Sequence, residues 1–97
     1  MAKAYVIVNV AIRDPERYKD YVQAATPTVA THGGRYLVRG GRAEKLEGDA
    51  SVNRIVVLEF PGYAEAKGWY ESPEYQAALA IRQSCSVATI ILVEGMN

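Results

Sequence analysis

A single cysteine, Cys85, stands in a chain of 97 residues. It can close no internal disulfide, which points to a reducing, cytoplasmic setting. An excess of charge is equally missing, since 11 Lys and Arg balance 11 Asp and Glu. No basic stripe offers a surface for tracking phosphates, which argues against nucleic acid as the main partner. Long hydrophobic runs are lacking too. The longest, Ala88 to Val93, is interrupted by Thr89 and falls far short of the roughly 20 residues that cross a bilayer, so no membrane partner is expected. Met1-Ala2-Lys3-Ala4 leads straight into strand-like residues, without the charged and apolar regions of a secretory signal. His32 is the only histidine, and alone it makes a poor metal site. No phosphate loop, dinucleotide fingerprint or nucleophile elbow is present, and no cofactor is expected.

What is there reads as one domain over residues 1–97. Tyr5 to Ile12, YVIVNVAI, is rich in β-branched residues and predicts a strand. Asp14-Pro15-Glu16 then supplies a side-chain cap, a proline where no amide donor is needed, and a negative charge at the positive end of a helix. Tyr18, Tyr21, Val22, Ala25 and Val29 recur at helical spacing. Pro27 falls within that stripe and predicts a kink or a split last turn, and Gly33-Gly34 ends it. Arg35–Arg39 and Arg54–Phe60 predict two further strands, joined by a polar connection from Arg42 to Val52. Tyr63 to Tyr70 reads as a short helix. Ser72-Pro73-Glu74 is a second cap that opens a helix from Tyr75 to about Gln83, and Thr89–Val93 predicts the last strand. The order is β-α-β-β-α-β, the split βαβ pattern of ferredoxin-like α+β folds: a four-stranded antiparallel sheet with helices on one face.

Several segments carry a resemblance. Gly33-Gly34-Arg35-Tyr36-Leu37-Val38-Arg39-Gly40-Gly41, Leu58-Glu59-Phe60-Pro61, Trp69-Tyr70-Glu71-Ser72-Pro73-Glu74-Tyr75-Gln76, Arg82 and Val93-Glu94-Gly95 resemble the DUF1330 family of uncharacterised proteins over almost the whole chain. The resemblance implies a dimeric α/β-barrel, in which two ferredoxin-like sheets face each other with helices outside. That superfamily includes cofactor-independent monooxygenases, muconolactone-isomerase-like enzymes and haem-degrading proteins, while the family itself has no established reaction.

Strand alternation sorts the side chains. Val6, Val8 and Val10 share one face of the first strand, and Tyr5, Ile7 and Asn9 the other. The same rule groups Arg35, Leu37 and Arg39 against Tyr36 and Val38, and Ile55, Val57 and Glu59 against Val56 and Leu58. A symmetric hairpin would set Arg35 across from Glu59 and Arg39 across from Ile55, with Asn9 near the Arg39 end. The apolar sets are expected beneath the helices, and the mixed sets against a second copy or a cavity between sheets. Arg39 is the first candidate for binding a carboxylate or enolate, or else for an ion pair across an interface. Asn9 would help hold the oxyanion. Glu59 reads as a general base with a raised pKa, or as the cross-strand partner of Arg35. His32 is the natural group for moving a proton near neutral pH, or a cation favoured at a helix C-terminus. Tyr70, with Trp69 and Tyr75, would wall a flat ligand or simply pack the core. Cys85 reads as a small buried apolar residue. Two functions fit: a cofactor-independent enzyme acting on a small carbonyl or carboxylate compound, or a non-catalytic small-ligand-binding or structural homodimer.

Overall fold

The structure, a computed structural model, describes residues 2–97. The chain runs β1 (Ala4–Ile12), α1 (Pro15–Thr31), β2 (Arg35–Arg39), β3 (Arg54–Phe60), α2 (Tyr63–Glu71), α3 (Pro73–Cys85) and β4 (Ser86–Glu94). The strands form one open antiparallel sheet in the order β2-β3-β1-β4, the ferredoxin-like arrangement read from the sequence. Among the described residues no helix is long and apolar enough to cross a membrane.

Local chemistry sets both ends of α1 and the start of α3. The Asp14 carboxylate accepts from the Arg17 amide and Pro15 fills the first turn of α1. At its other end the Gly34 amide donates to the Val29 carbonyl and the Gly33 amide to that of Ala30. That paired closure needs a left-handed residue, and Gly33 supplies it at φ 78°. Pro27 does not split α1, which runs unbroken from Pro15 to Thr31. Pro27 and Gln23 are both exposed, so the carbonyl that loses its usual donor lies on the solvent side. The hydroxyls of Thr26 and Thr31 also bond back into the same turns. Ser72 caps α3 through the Tyr75 amide. This helix runs on to Cys85, and β4 starts at Ser86 rather than Thr89. The Cys85 carbonyl accepts from the amides of Arg13 and Asp14, which clips the end of α3 to the start of α1.

The helices cover one side of the sheet. Val6, Val8, Val10, Val56, Leu58 and Phe60 are buried there against Ala25, Val29, Trp69, Tyr75, Ala78 and Leu79. Cys85 is buried among them, and burial pushes its thiol up from the ordinary value. Tyr5, Ile7, Ile55 and Val57 lie on the other side, joined by Val87, Ile91 and Val93 of β4.

Alternation fails in β2. A bulge between Tyr36 and Val38 places Val38 opposite Val57 and Arg39 opposite Val56. An extra residue in one strand reverses the facing of everything beyond it. Val38 therefore joins the open face, whereas Arg39, expected opposite Ile55 on that face, lies on the helix side.

Candidate functional site

The helix side of the sheet holds more than apolar residues. In β3 the row that buries Val56 and Leu58 begins with Arg54, and the bulge brings Arg39 to the same side. The apolar stripe of α1 sets Tyr18, Tyr21 and Val22 over this row, and the capped start of α3 sets Tyr75 beside them, fully buried. With Tyr36 they enclose a chamber of about 30 Å³ between α1 and the sheet. Tyr18, Val22 and Arg54 also line an open groove of about 360 Å³, together with Ile12, Lys19 and Gln23. The chamber and the groove thus share three lining residues. The chamber has room for a water or two, or for one carboxylate-sized group.

Its electrostatics are those of a donor-lined site. The hydroxyls of Tyr21 and Tyr75 lie 3.0 Å apart. Burial raises the Tyr21 pKa, and the nearby Tyr75 hydroxyl raises it further. Burial also raises Tyr18, against the opposing pull of Arg54. Both phenols therefore stay protonated at neutral pH and can donate hydrogen bonds. Arg39 donates to the Thr26 hydroxyl at 2.8 Å and lies 4.3 Å from the centre of the Tyr36 ring. The Arg54 guanidinium lies 5.9 Å from the Tyr18 ring centre, and its Nε is buried without a partner. It rests against the backbone at Gly40, where a Cβ would collide with Nη1 and where φ is 71°. The left-handed backbone favours glycine there, and a Cβ would push the guanidinium aside. The ion pairs among the described residues use Lys3, Arg17, Lys19 and Arg35 as their cations. Among the described residues Arg39 and Arg54 have no carboxylate beside them, and no acidic one lines the chamber or the groove. Among the described residues no cluster of His, Cys, Asp and Glu could hold a metal ion.

The residues singled out from the sequence do not converge on one point. Arg39 lies at the mouth of the chamber. Asn9 is on the opposite face, where its amide donates to the Ser51 carbonyl at 2.8 Å and its Oδ1 accepts from the Asn53 amide at 3.0 Å. It clamps the base of the connection between β2 and β3. His32 is the C-cap of α1, with Nδ1 3.0 Å from the Thr28 carbonyl. Tyr70 packs on Trp69 and Tyr75 and lines crevices on the β4 side of the helices. Glu59 accepts from Arg35 at 2.9 Å and from Lys3 at 3.4 Å on the open face. The Arg35 bond, with help from Lys3, holds its carboxyl below the usual carboxylate range, the reverse of what a general base needs. A carboxylate with a lowered folded pKa adds stability above its unfolded pKa of about 4.3, and that stability is lost as pH falls through the folded value. Below about pH 5 a Glu59→Gln protein should therefore lose less stability on acidification than the wild type. Urea titrations at stepped pH would show this as a shallower acid limb, and parallel limbs would count against the pairing.

Three groups at or beside the chamber were not picked out as site residues from the sequence, although Arg54 and Arg82 each carried a signal. Arg54 interrupts an apolar row at period two, and Arg82 interrupts the stripe of Tyr75, Ala78 and Leu79 on α3 at helical spacing. The phenols of α1 were read only as part of an apolar stripe at helical spacing.

The profile of the domain of unknown function DUF1330 matches residues 3–96. No curated protein matches the chain. Among solved structures, a protein of unknown function from Rhodopseudomonas palustris is 20% identical, with a TM-score of 0.79 over 99% of this chain and 84% of the other. A dimeric ferredoxin-like protein of unknown function from Thermobifida fusca is 15% identical, with a TM-score of 0.63 over 96% and 91%. SnoaB, a cofactor-independent oxygenase from Streptomyces nogalater, is 8% identical, with a TM-score of 0.68 over 100% and 96%. At these identities the likeness is one of fold.

Proposed function

Given that the chain belongs to the DUF1330 family, we propose that it binds a small planar carboxylate or enolate in the groove between α1 and the sheet. The observation that carries this reading is the pair of guanidiniums, Arg39 and Arg54, that meet phenol rings but no carboxylate. Arg39 is exposed, but Arg54 is half-buried with its Nε sealed off and unpartnered. Withdrawing that cation from water is costly unless an opposite charge offsets it, and an anionic ligand supplies that charge. Its head group would enter the chamber between Arg39, Arg54 and the Tyr21–Tyr75 hydroxyls. Its body would lie in the groove against Ile12, Tyr18 and Val22. Protonated phenols and guanidiniums all donate, so the site favours an anion over a neutral amide.

The same convergence of donors favours a second reading, cofactor-independent turnover of the bound compound. Donors fixed where an enolate oxygen would sit stabilise the charge that develops there. The neighbour described as a cofactor-independent oxygenase makes this the enzyme class to test first. We take the working unit to be a homodimer with the two open sheet faces together, in keeping with the dimeric description of neighbours from Thermobifida fusca and Bacteroides fragilis.

Trp69 borders the chamber, so its fluorescence can report binding. Titration with phenylpyruvate, an aromatic 2-oxo acid that enolises, should quench it saturably. Arg54→Gln should weaken binding by about tenfold to a hundredfold, the range for a lost charge-assisted pair of hydrogen bonds. Unchanged affinity in both Arg54→Gln and Arg39→Gln would overturn the assignment.

A further inference from the structure

A third guanidinium lies on the far side of the tyrosine pair. Arg82 occupies the apolar stripe of α3 and is only 5% exposed, yet its Nε has no hydrogen-bond partner. No ion pair among the described residues includes it. Its charge lies 5.9 Å from the Tyr21 ring centre, which offsets some of the desolvation but satisfies no N–H. Arg82 borders a crevice of about 360 Å³ between α3 and β4, lined also by Tyr70, Gln83, Ser86, Ala88 and Ile90. No acidic residue lines it. It shares no lining residue with the groove beneath α1.

We propose that this crevice is a second anion site, in which the Arg82 guanidinium receives the carboxylate of a small aromatic or branched acid. The end formed by the two Nη groups is a planar fork that matches the two oxygens of a carboxylate. The Nε is sealed within the protein, so the two Nη groups are the donors such a pair would use. Tyr70 on one wall and Ala88 and Ile90 on the other supply the apolar surface for the acid's body. The Ser86 hydroxyl donates to the Arg82 carbonyl at 2.6 Å, and among the described residues no hydrogen bond joins its oxygen to the guanidinium. A guanidinium this deeply buried costs stability unless an opposite charge offsets it, and a carboxylate entering from the crevice supplies one.

The proposal does not depend on the groove under α1, and the experiment separates the two. Sodium benzoate is titrated into the full chain while backbone amide shifts are followed by NMR. The expected result is saturable movement of the Tyr70, Gln83, Ser86 and Ala88 amides. Arg82→Gln should weaken this response by about tenfold or more. Ala88→Leu should abolish it by filling the crevice while leaving the guanidinium in place. Arg39→Gln should leave it unchanged, whatever becomes of phenylpyruvate binding. Should Arg82→Gln prove too unstable to study, Ala88→Leu decides. The proposal is overturned by wild type that moves none of these amides, by a folded Arg82→Gln protein that binds benzoate as wild type does, or by Ala88→Leu that keeps the response.

Discussion

Placing an aspartate at Ile7 should convert the proposed dimer of 10.6 kDa chains into monomers, or into chains that no longer hold their fold. Ile7 lies in the middle of β1, with Val57 and Ile91 as its neighbours across the two ladders. All three are on the face that the helices leave bare. Ile7 is 38% exposed, Ile91 53%, Val93 43% and Leu37 45%, and together they make an apolar patch of a kind that monomers rarely leave in water. Burying a large aliphatic side chain is worth about 1.5–3 kcal/mol, and a two-fold interface buries each one twice. Association entropy and the desolvation of Asn9, Arg35 and Glu59 consume part of that gain. An aspartate on this face removes the apolar contribution and buries a charge in each subunit. The dissociation constant should rise by a factor on the order of 10² or more. Sedimentation across a concentration series measures this directly. A wild type that sediments as a stable 10.6 kDa monomer at micromolar concentration would remove the basis for the paired sheets.

The scaffold was readable because its signals are local and mutually consistent. Asp14-Pro15, Ser72-Pro73 and Gly33-Gly34 mark helix ends by chemistry that acts within a few residues. Valines at every second position of β1 name the buried side without knowledge of its partners. The site was less readable because it depends on one residue of register. Nothing in Arg35–Arg39 announces a bulge, yet the bulge decides on which side of the sheet Arg39 lies. Strict alternation grouped Arg39 with Asn9, and the observed pairing separates them by the thickness of the sheet. Glu59 shows the opposite case. Its pairing with Arg35 precedes the bulge, so the symmetric register held there. Arg54 and Arg82 were visible as charges in apolar rows. Weighing them required knowing that no carboxylate lies nearby, which depends on distant chain segments meeting in space.

The second large effect is expected at Trp69, where the helical layer is joined. Trp69 is 2% exposed, with its ring centre 5.3 Å from that of Phe60 on β3 and 4.2 Å from that of Tyr75 on α3. Its indole donates at 2.9 Å to the Thr28 hydroxyl of α1, which itself donates to the Ala25 carbonyl. One side chain on α2 thus bonds or packs against the sheet and both other helices. Trp→Ala changes in cores cost about 3–5 kcal/mol, set against a total margin of about 5–15 kcal/mol for domains in general. The urea midpoint of Trp69→Ala should fall by on the order of 2 M, given slopes of about 1–3 kcal/mol per molar for small proteins. Trp69→Phe keeps a ring between Phe60 and Tyr75 but gives up the indole donor. Thr28 retains its bond to Ala25, so this variant should lose less, about 1 kcal/mol for the hydrogen bond plus a modest packing loss. The order of the two variants tests whether ring packing or the Thr28 bond holds the layer together. If Trp69→Phe were as damaging as Trp69→Ala, the hydrogen bond would be the dominant link. The packing account would then be wrong, even though the residue is buried.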